Sequence, residues 1–288
     1  MTARAVATCP PPAPVRVPAV ASTALRRMMS KSPLSAAVLG TSTHAVWLIS
    51  GDEVAVVSTR DATRLPNGVE LGLRSDDQPF ASVAYGAIAR IGATSIDVGS
   101  LAVEVVRWWD PRPVLAPVSM DALAAAVCRL PASVEGIDSA PLGAALANAA
   151  SDEIVIAARS LLGRGPGLTP EGDDYLAGAF AATRVLGAAI GSYRATAALD
   201  RAAPRIDAEA ARRTTTFSAA LIRCALRGDV AAPAGTLLRS ISGRGDVIAA
   251  HLTLAEVGHS SGPALAAGIV LGVQSLVHHH STTTGGSS

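Results

Sequence analysis

The densest run of residues able to do chemistry is Gly163-Arg164-Gly165-Pro166-Gly167-Leu168-Thr169-Pro170-Glu171-Gly172-Asp173-Asp174. Alternating glycines that feed a helix start present backbone N–H groups to an anion, because the first N–H groups of a helix lack intrahelical partners. Thr169 is placed to cap that helix and Pro170 to open it. A Pro-Glu-Gly turn with Asp173 as the cap fits the same residues. Gly172 is costly in a first turn, so something is expected to lie against its backbone. Asp173 and Asp174 either only favour the helix dipole or orient an amide N–H or a cation beside a bound anion. Adjacent carboxylates without histidine suit magnesium held through water better than zinc, and no metal site is assigned.

Two other clusters punctuate the same half of the chain. Gly258-His259-Ser260-Ser261-Gly262-Pro263 again sets glycine and hydroxyl residues before a helix, and adds His259, the imidazole best placed to move a proton or polarise a carbonyl. Without a G-x-S-x-G elbow, Ser260 and Ser261 are more naturally caps than nucleophiles. In Arg212-Arg213-Thr214-Thr215-Thr216-Phe217-Ser218, three β-branched threonines suit the start of a helix better than its interior, with their hydroxyls facing a polar site. Arginine there grips a carboxylate or phosphate, or makes a solvated basic turn. The candidate catalytic residues are therefore His259, Asp173 and Asp174. The candidate ligand-binding residues are Gly165, Gly167, Thr169, Gly172, Arg213, Thr215, Thr216, Ser218, Ser260, Ser261 and Gly262.

The elements that must position these residues fall into two textures. From His44 to Trp109 come short Val- and Ile-rich runs at 45–49, 54–58, 69–73, 83–88, 95–98 and 103–108, with turn signals at Ser50-Gly51-Asp52 and Pro66-Asn67-Gly68. After Pro117, alanine and leucine recur at helical spacing near 118–130, 139–162, 170–190, 205–228, 231–242, 246–257 and 263–277. Gly178, Gly187, Gly268 and Gly272 inside these apolar helices allow close backbone approach. The expected fold is α+β: a small antiparallel β-rich domain over 33–115, then an all-helical domain over 116–277 carrying the ligand site. Residues 1–32, with Pro10, Pro11, Pro12 and Pro14, and residues 278–288, with three histidines before Thr, Gly and Ser, read as solvated tails.

Composition narrows the partners. The 288 residues are 49% hydrophobic and carry Lys+Arg 24 against Asp+Glu 23, so no global field attracts nucleic acid. The basic side is almost wholly arginine. Lys31 is the single lysine, which excludes a Schiff-base or P-loop lysine in the folded region. Cys9, Cys128 and Cys224 form an odd, widely spaced set without C-x-x-C, consistent with a reducing cytoplasm. The apolar stretch Ala264 to Val277 is shorter than the roughly 20 residues that cross a bilayer, so no membrane partner is expected.

Taken in order, Gly165-Pro166-Gly167-Leu168-Thr169-Pro170-Glu171-Gly172-Asp173-Asp174, Thr215-Thr216-Phe217-Ser218-Ala219-Ala220-Leu221 and Gly258-His259-Ser260-Ser261-Gly262 resemble the family associated with a subunit of oxamate carbamoyltransferase from anaerobic allantoin breakdown. His44-Ala45-Val46 and Leu65-Pro66-Asn67-Gly68 extend the resemblance more weakly toward the N-terminus. Glu171 stands where members commonly have serine, and Tyr175 where they have phenylalanine. The resemblance implies exchange of a carbamoyl group between oxalurate and phosphate. It also implies a small carboxylate, phosphate or carbamoyl phosphate as ligand, no cofactor, and partner subunits, one of them similar to an acyl-CoA synthetase. A non-catalytic subunit that binds a small acid or assembles the complex accounts for the same glycines.

Overall fold

The computed structural model describes residues 15–30 and 33–285. Its first half is a closed barrel of eight strands: β1 (Val15–Ser22), β2 (Leu34–Thr41), β3 (Ala45–Ser50), β4 (Glu53–Ser58), β5 (Gly68–Leu71), β6 (Ile88–Gly92), β7 (Ser95–Val98) and β8 (Leu101–Trp109). Around the barrel the order is β1-β5-β4-β3-β2-β6-β7-β8, and closure leaves no unpaired edge. The expectation of an antiparallel sheet needs correcting, because β1 runs parallel to β8 and β4 parallel to β5. The segment after Ser58 that includes Leu65-Pro66-Asn67 crosses over instead of turning back, so β5 re-enters beside β4 in the same direction.

Two strands were hidden in the sequence. β1 carries Val17, Ala19 and Ala21 inward at the period of two that a half-buried strand requires, but Pro18 and the proline run before it disguise the pattern. Residues 15–30, expected as tail, thus form β1 and the short helix α1 (Arg26–Ser30), whose Met28 and Met29 are buried under the barrel. Residues 1–14 and 31–32 of that expected tail lie outside the described residues. β2 is alanine-rich and so lacks an obvious strand signature; it buries Ala36 and Val38. The 83–88 run is a turn, and β6 starts only at Ile88.

β4 explains how the barrel meets the rest. Its Ala55 and Val57 fill the barrel interior, while Val54 and Val56 pack outward against Phe217 and Ala220. Both faces are covered, hence the uninterrupted apolar run.

The second half consists of α2 (Met120–Val127), α3 (Ala140–Ala147), α4 (Ser151–Leu161), α5 (Glu171–Ala189), α6 (Tyr193–Arg213), α7 (Thr216–Arg227), α8 (Ala232–Ile241), α9 (Val247–Ala255) and α10 (Ser261–Gly285). The expected 139–162 segment is two helices, broken where Ala149 takes a left-handed conformation (φ 53°). The 205–228 segment is also two: Thr214 is extended (φ −134°, ψ −178°), and α6 begins well before Pro204, which it accommodates.

α5 is buried on nearly every side, as expected of the central helix of a bundle. α10 lies along it, and here the glycines are needed. A Cβ on Gly178 would collide with the carbonyl of Leu265, and one on Gly268 with the carbonyl of Tyr175. α10 runs past the expected end at 277; His279 is buried and its Nδ1 lies 2.6 Å from the Ala147 carbonyl. Residues 286–288 are outside the described residues. The stretch Ser261–His280 is long and apolar enough by composition to cross a membrane, a length the 264–277 reading understated, and 67% of its 18-residue apolar window is buried inside this fold.

Candidate functional site

Three helix starts meet beside the glycine-rich loop. Pro170, not Thr169, occupies the N-cap of α5, with φ −55° and ψ 141°. Thr169 therefore sits one residue outside the helix, and its hydroxyl hydrogen-bonds Ser261 Oγ at the start of α10 (2.8 Å). Thr215 caps α7: its Oγ1 accepts from the Ser218 N–H (3.0 Å) and donates to the Leu168 carbonyl (2.6 Å), so this one hydroxyl ties α7 to the loop. The clusters at 163–174, 214–218 and 258–262 are joined by side-chain hydrogen bonds although as many as 92 residues separate them.

Asp173 is the knot of this junction. It is 1% exposed; Oδ1 accepts from the Gly163 N–H (2.8 Å), and Oδ2 from Ser218 Oγ (2.8 Å) and Thr214 Oγ1. Three donors on one buried carboxylate satisfy it. Its geometry is that of a strut that joins the glycine-rich loop to the start of α7.

Asp174 is its opposite, although it is the next residue. Successive helical residues diverge by about 100° around the axis, so the second carboxyl faces away from the knot. Asp174 is 7% exposed and its Oδ2 has no hydrogen-bond partner. Burial pushes its pKa up to about 7, the charges of Asp173 and Glu171 add to the rise, and the hydroxyls of Ser261 and Thr169 beside it offset part of it. Asp174 lines a cavity of about 230 Å³ between barrel and helices. Trp47, Leu65 and Pro66 supply the barrel side; Phe217, Leu221, Leu254 and Ile269 are among the residues on the helical side. Trp47 and Phe217 meet edge to face, 6.2 Å between centroids, and Trp47 Nε1 is a second buried atom without a partner.

The other expected site residues fall into distinct places. Ser261 and Gly262 line the cavity with Thr169, and Gly262 is required because a Cβ would strike the Leu254 carbonyl. Gly172 does have something against its backbone, but it is the Leu161 carbonyl and not a ligand. Gly165 (φ 110°) and Gly167 (φ 95°) hold left-handed conformations in an exposed loop outside the cavity wall. Ser218 and Thr215 are consumed by the hydrogen bonds above, Thr216 is exposed, and the Ser260 carbonyl accepts from the Ala264 N–H at the start of α10. Arg213 donates its Nε–H to Glu209 Oε2 (2.7 Å) one helical turn back, which ties the end of α6 together. His259 is exposed and is not among the residues that line the cavity with Asp174. Sequence reasoning missed the whole barrel side of the cavity: Trp47 is one aromatic in a strand, with nothing local to mark it.

Among the described residues no group of three or more His, Cys, Asp or Glu is arranged to hold a metal ion. Asp229, the other acid on the cavity wall, is paired with Arg227 (3.2 Å) and Arg112 (3.6 Å).

Residues 161–273 match the family model of the oxamate carbamoyltransferase subunit AllH. The match to the AllH family begins at the end of α4, takes in the glycine-rich loop and the capping residues of α5, α7 and α10, and stops before the last turns of α10. It therefore contains the junction and the helical wall of the cavity, and not the barrel. The AllH description is that of an enzyme subunit, a component that works with other chains. No curated protein and no solved structure matches the chain.

Proposed function

We propose that the chain is the ligand-binding subunit of a carbamoyl-transferring enzyme of the oxamate/oxalurate and phosphate type, acting in purine or allantoin nitrogen breakdown. The observation that carries the reading is Asp174: a carboxyl oxygen buried without a partner, on a cavity wall inside the stretch that matches the AllH family. A protonated carboxyl is donor and acceptor at once, and so is the carbamoyl or primary amide group, so the two pair through two parallel hydrogen bonds. With its pKa at about 7, Asp174 also holds or releases a proton near neutrality at little cost. The anionic end of the ligand is assigned to the exposed glycine-rich loop of Arg164, Gly165 and Gly167 that leads into α5. Partner subunits, including one similar to an acyl-CoA synthetase, complete the reaction. The free thiols of Cys128 and Cys224 suit a reducing cytoplasm.

A second reading, a subunit that binds the small acid without catalysing its reaction, is favoured by the exposed position of His259, which leaves Asp174 without an imidazole partner.

Calorimetric titration of the chain with phosphate, carbamoyl phosphate, oxamate and oxalurate tests the assignment. Oxamate or oxalurate should bind, should weaken as pH rises through about 7, and should lose about tenfold or more in Asp174→Leu. Phosphate should be indifferent to that substitution. Carbamoyl ligands that bind Asp174→Leu as well as the parent would sink the proposal. With the partner subunits present, Asp174→Asn should cut turnover while assembly persists; unchanged turnover favours the second reading.

A further inference from the structure

The cavity is larger and far more apolar than a small acid needs. A cavity of roughly 150 Å³ walled by hydrocarbon already holds a benzene ring, and this one has about 230 Å³. Most of its wall is aliphatic or aromatic, with Trp47 and Phe217 meeting edge to face in one corner. Among the described residues the wall contains two acids, Asp174 and Asp229, and no Lys, Arg or His. A carboxylate or phosphate brought inside would lose its hydration and find no cationic side chain on the wall to replace it.

Two of the residues lining the cavity each carry a buried polar atom without a hydrogen-bond partner, and these narrow the occupant. Asp174 Oδ2, on a side chain more than nine-tenths buried, comes from α5, and Trp47 Nε1 comes from β3. The indole N–H is donor only, so an ammonium group, which has no acceptor, would leave it unmet. A neutral amide supplies both an acceptor for the indole and donors for the carboxyl. We propose that the cavity binds an uncharged amide or ureide bearing a ring-sized apolar body, with the amide at the polar atoms and the body against the Trp47–Phe217 corner. This rests on the reading of Asp174 as an amide partner, and it widens the ligand class from small acids to amides with a hydrophobic substituent.

The test is a titration series on the full chain with acetamide, butyramide, benzamide, benzoate and benzylamine, alongside oxamate and oxalurate. Affinity should climb from acetamide to benzamide by about tenfold or more. Benzoate and benzylamine should bind more weakly than benzamide. Ala181 of α5 also lines the cavity, so Ala181→Leu, which takes up part of its volume, should abolish the gain from the ring while acetamide still binds, and its thermal melt reports whether the fold survives. Trp47→Phe, which keeps the ring and removes the N–H, should weaken benzamide several-fold. The inference is overturned if benzamide binds no tighter than acetamide, if benzoate or benzylamine matches it, or if neither substitution alters benzamide binding. Oxamate binding that depends on Asp174 with no gain from a ring overturns this inference and leaves the carbamoyl reading standing. Ring amides that bind where oxamate and oxalurate do not would support the apolar-amide pocket and overturn the small-acid reading instead.

Discussion

Asp173 and Asp174 share a helix turn and should respond oppositely to mutation. Asp173→Ala strips the acceptor from the buried Ser218 hydroxyl and from two part-buried donors, the Gly163 N–H and the Thr214 hydroxyl, and should cost about 2–3 kcal/mol in denaturant unfolding. Asp174→Leu should instead stabilise the protein in alkaline solution. The sign follows from linkage. A carboxyl whose folded pKa is raised from 3.8 to about 7 binds more protons folded than unfolded between those values, so stability falls as pH rises across that window and then levels off. The loss amounts to as much as roughly 4 kcal/mol at 1.36 kcal/mol per unit. Chemical denaturation of the parent and of Asp174→Leu at mildly acidic and alkaline pH measures it: the parent should weaken through that window and the variant should not. That polar turns interrupt an apolar helical half was legible in the sequence, and so were the residues to suspect. Their division of labour was not, because whether a carboxyl is knotted by donors or keeps one oxygen unpartnered depends on Thr214 and Ser218 on one side and a cavity on the other. His259 shows the same limit, since a glycine-flanked histidine says nothing about which way its ring points.

Helix packing gives the next scale its own test. The α5–α10 contact is close because Gly178, Gly268 and Gly272 let one backbone rest on the other. Gly268→Ala puts a methyl into the Tyr175 carbonyl and should cost about 3 kcal/mol or more. Gly167→Ala, at φ 95° with nothing within 4 Å, should cost only the roughly 1–2 kcal/mol of a strained backbone. Equal costs from urea melts would mean that the glycines serve flexibility and not approach. Helical texture and three of the four glycines read correctly at this scale, Gly187 meeting side chains and not a backbone, while helix ends did not: Thr214 breaks α6 from α7 where its hydroxyl serves Asp173, a partner 41 residues away.

For the molecule as a whole, the seam between barrel and bundle is the decisive contact. Phe217 sits in it against Val54, Val56 and Trp47, and Arg223 of α7 reaches the β3–β4 turn, with Nη1 donating to the Asp52 carbonyl (3.1 Å). Phe217→Ala should destabilise by about 3–5 kcal/mol and weaken any cavity ligand with it. If melting temperature falls while ligand affinity holds, the cavity is not the binding site. The two-part layout was visible in composition, but closure of the sheet was not: it depends on β1, whose Pro18 and neighbouring prolines mask the alternation of Val17, Ala19 and Ala21. That strand has a temporal consequence. β1 precedes both of its partners in the chain, so it leaves the ribosome ahead of β5 and β8 and finds the second only once Trp109 has emerged. Until then β1 is an unsatisfied edge, and the nascent barrel is a template for wrong pairing while the chain is still being made.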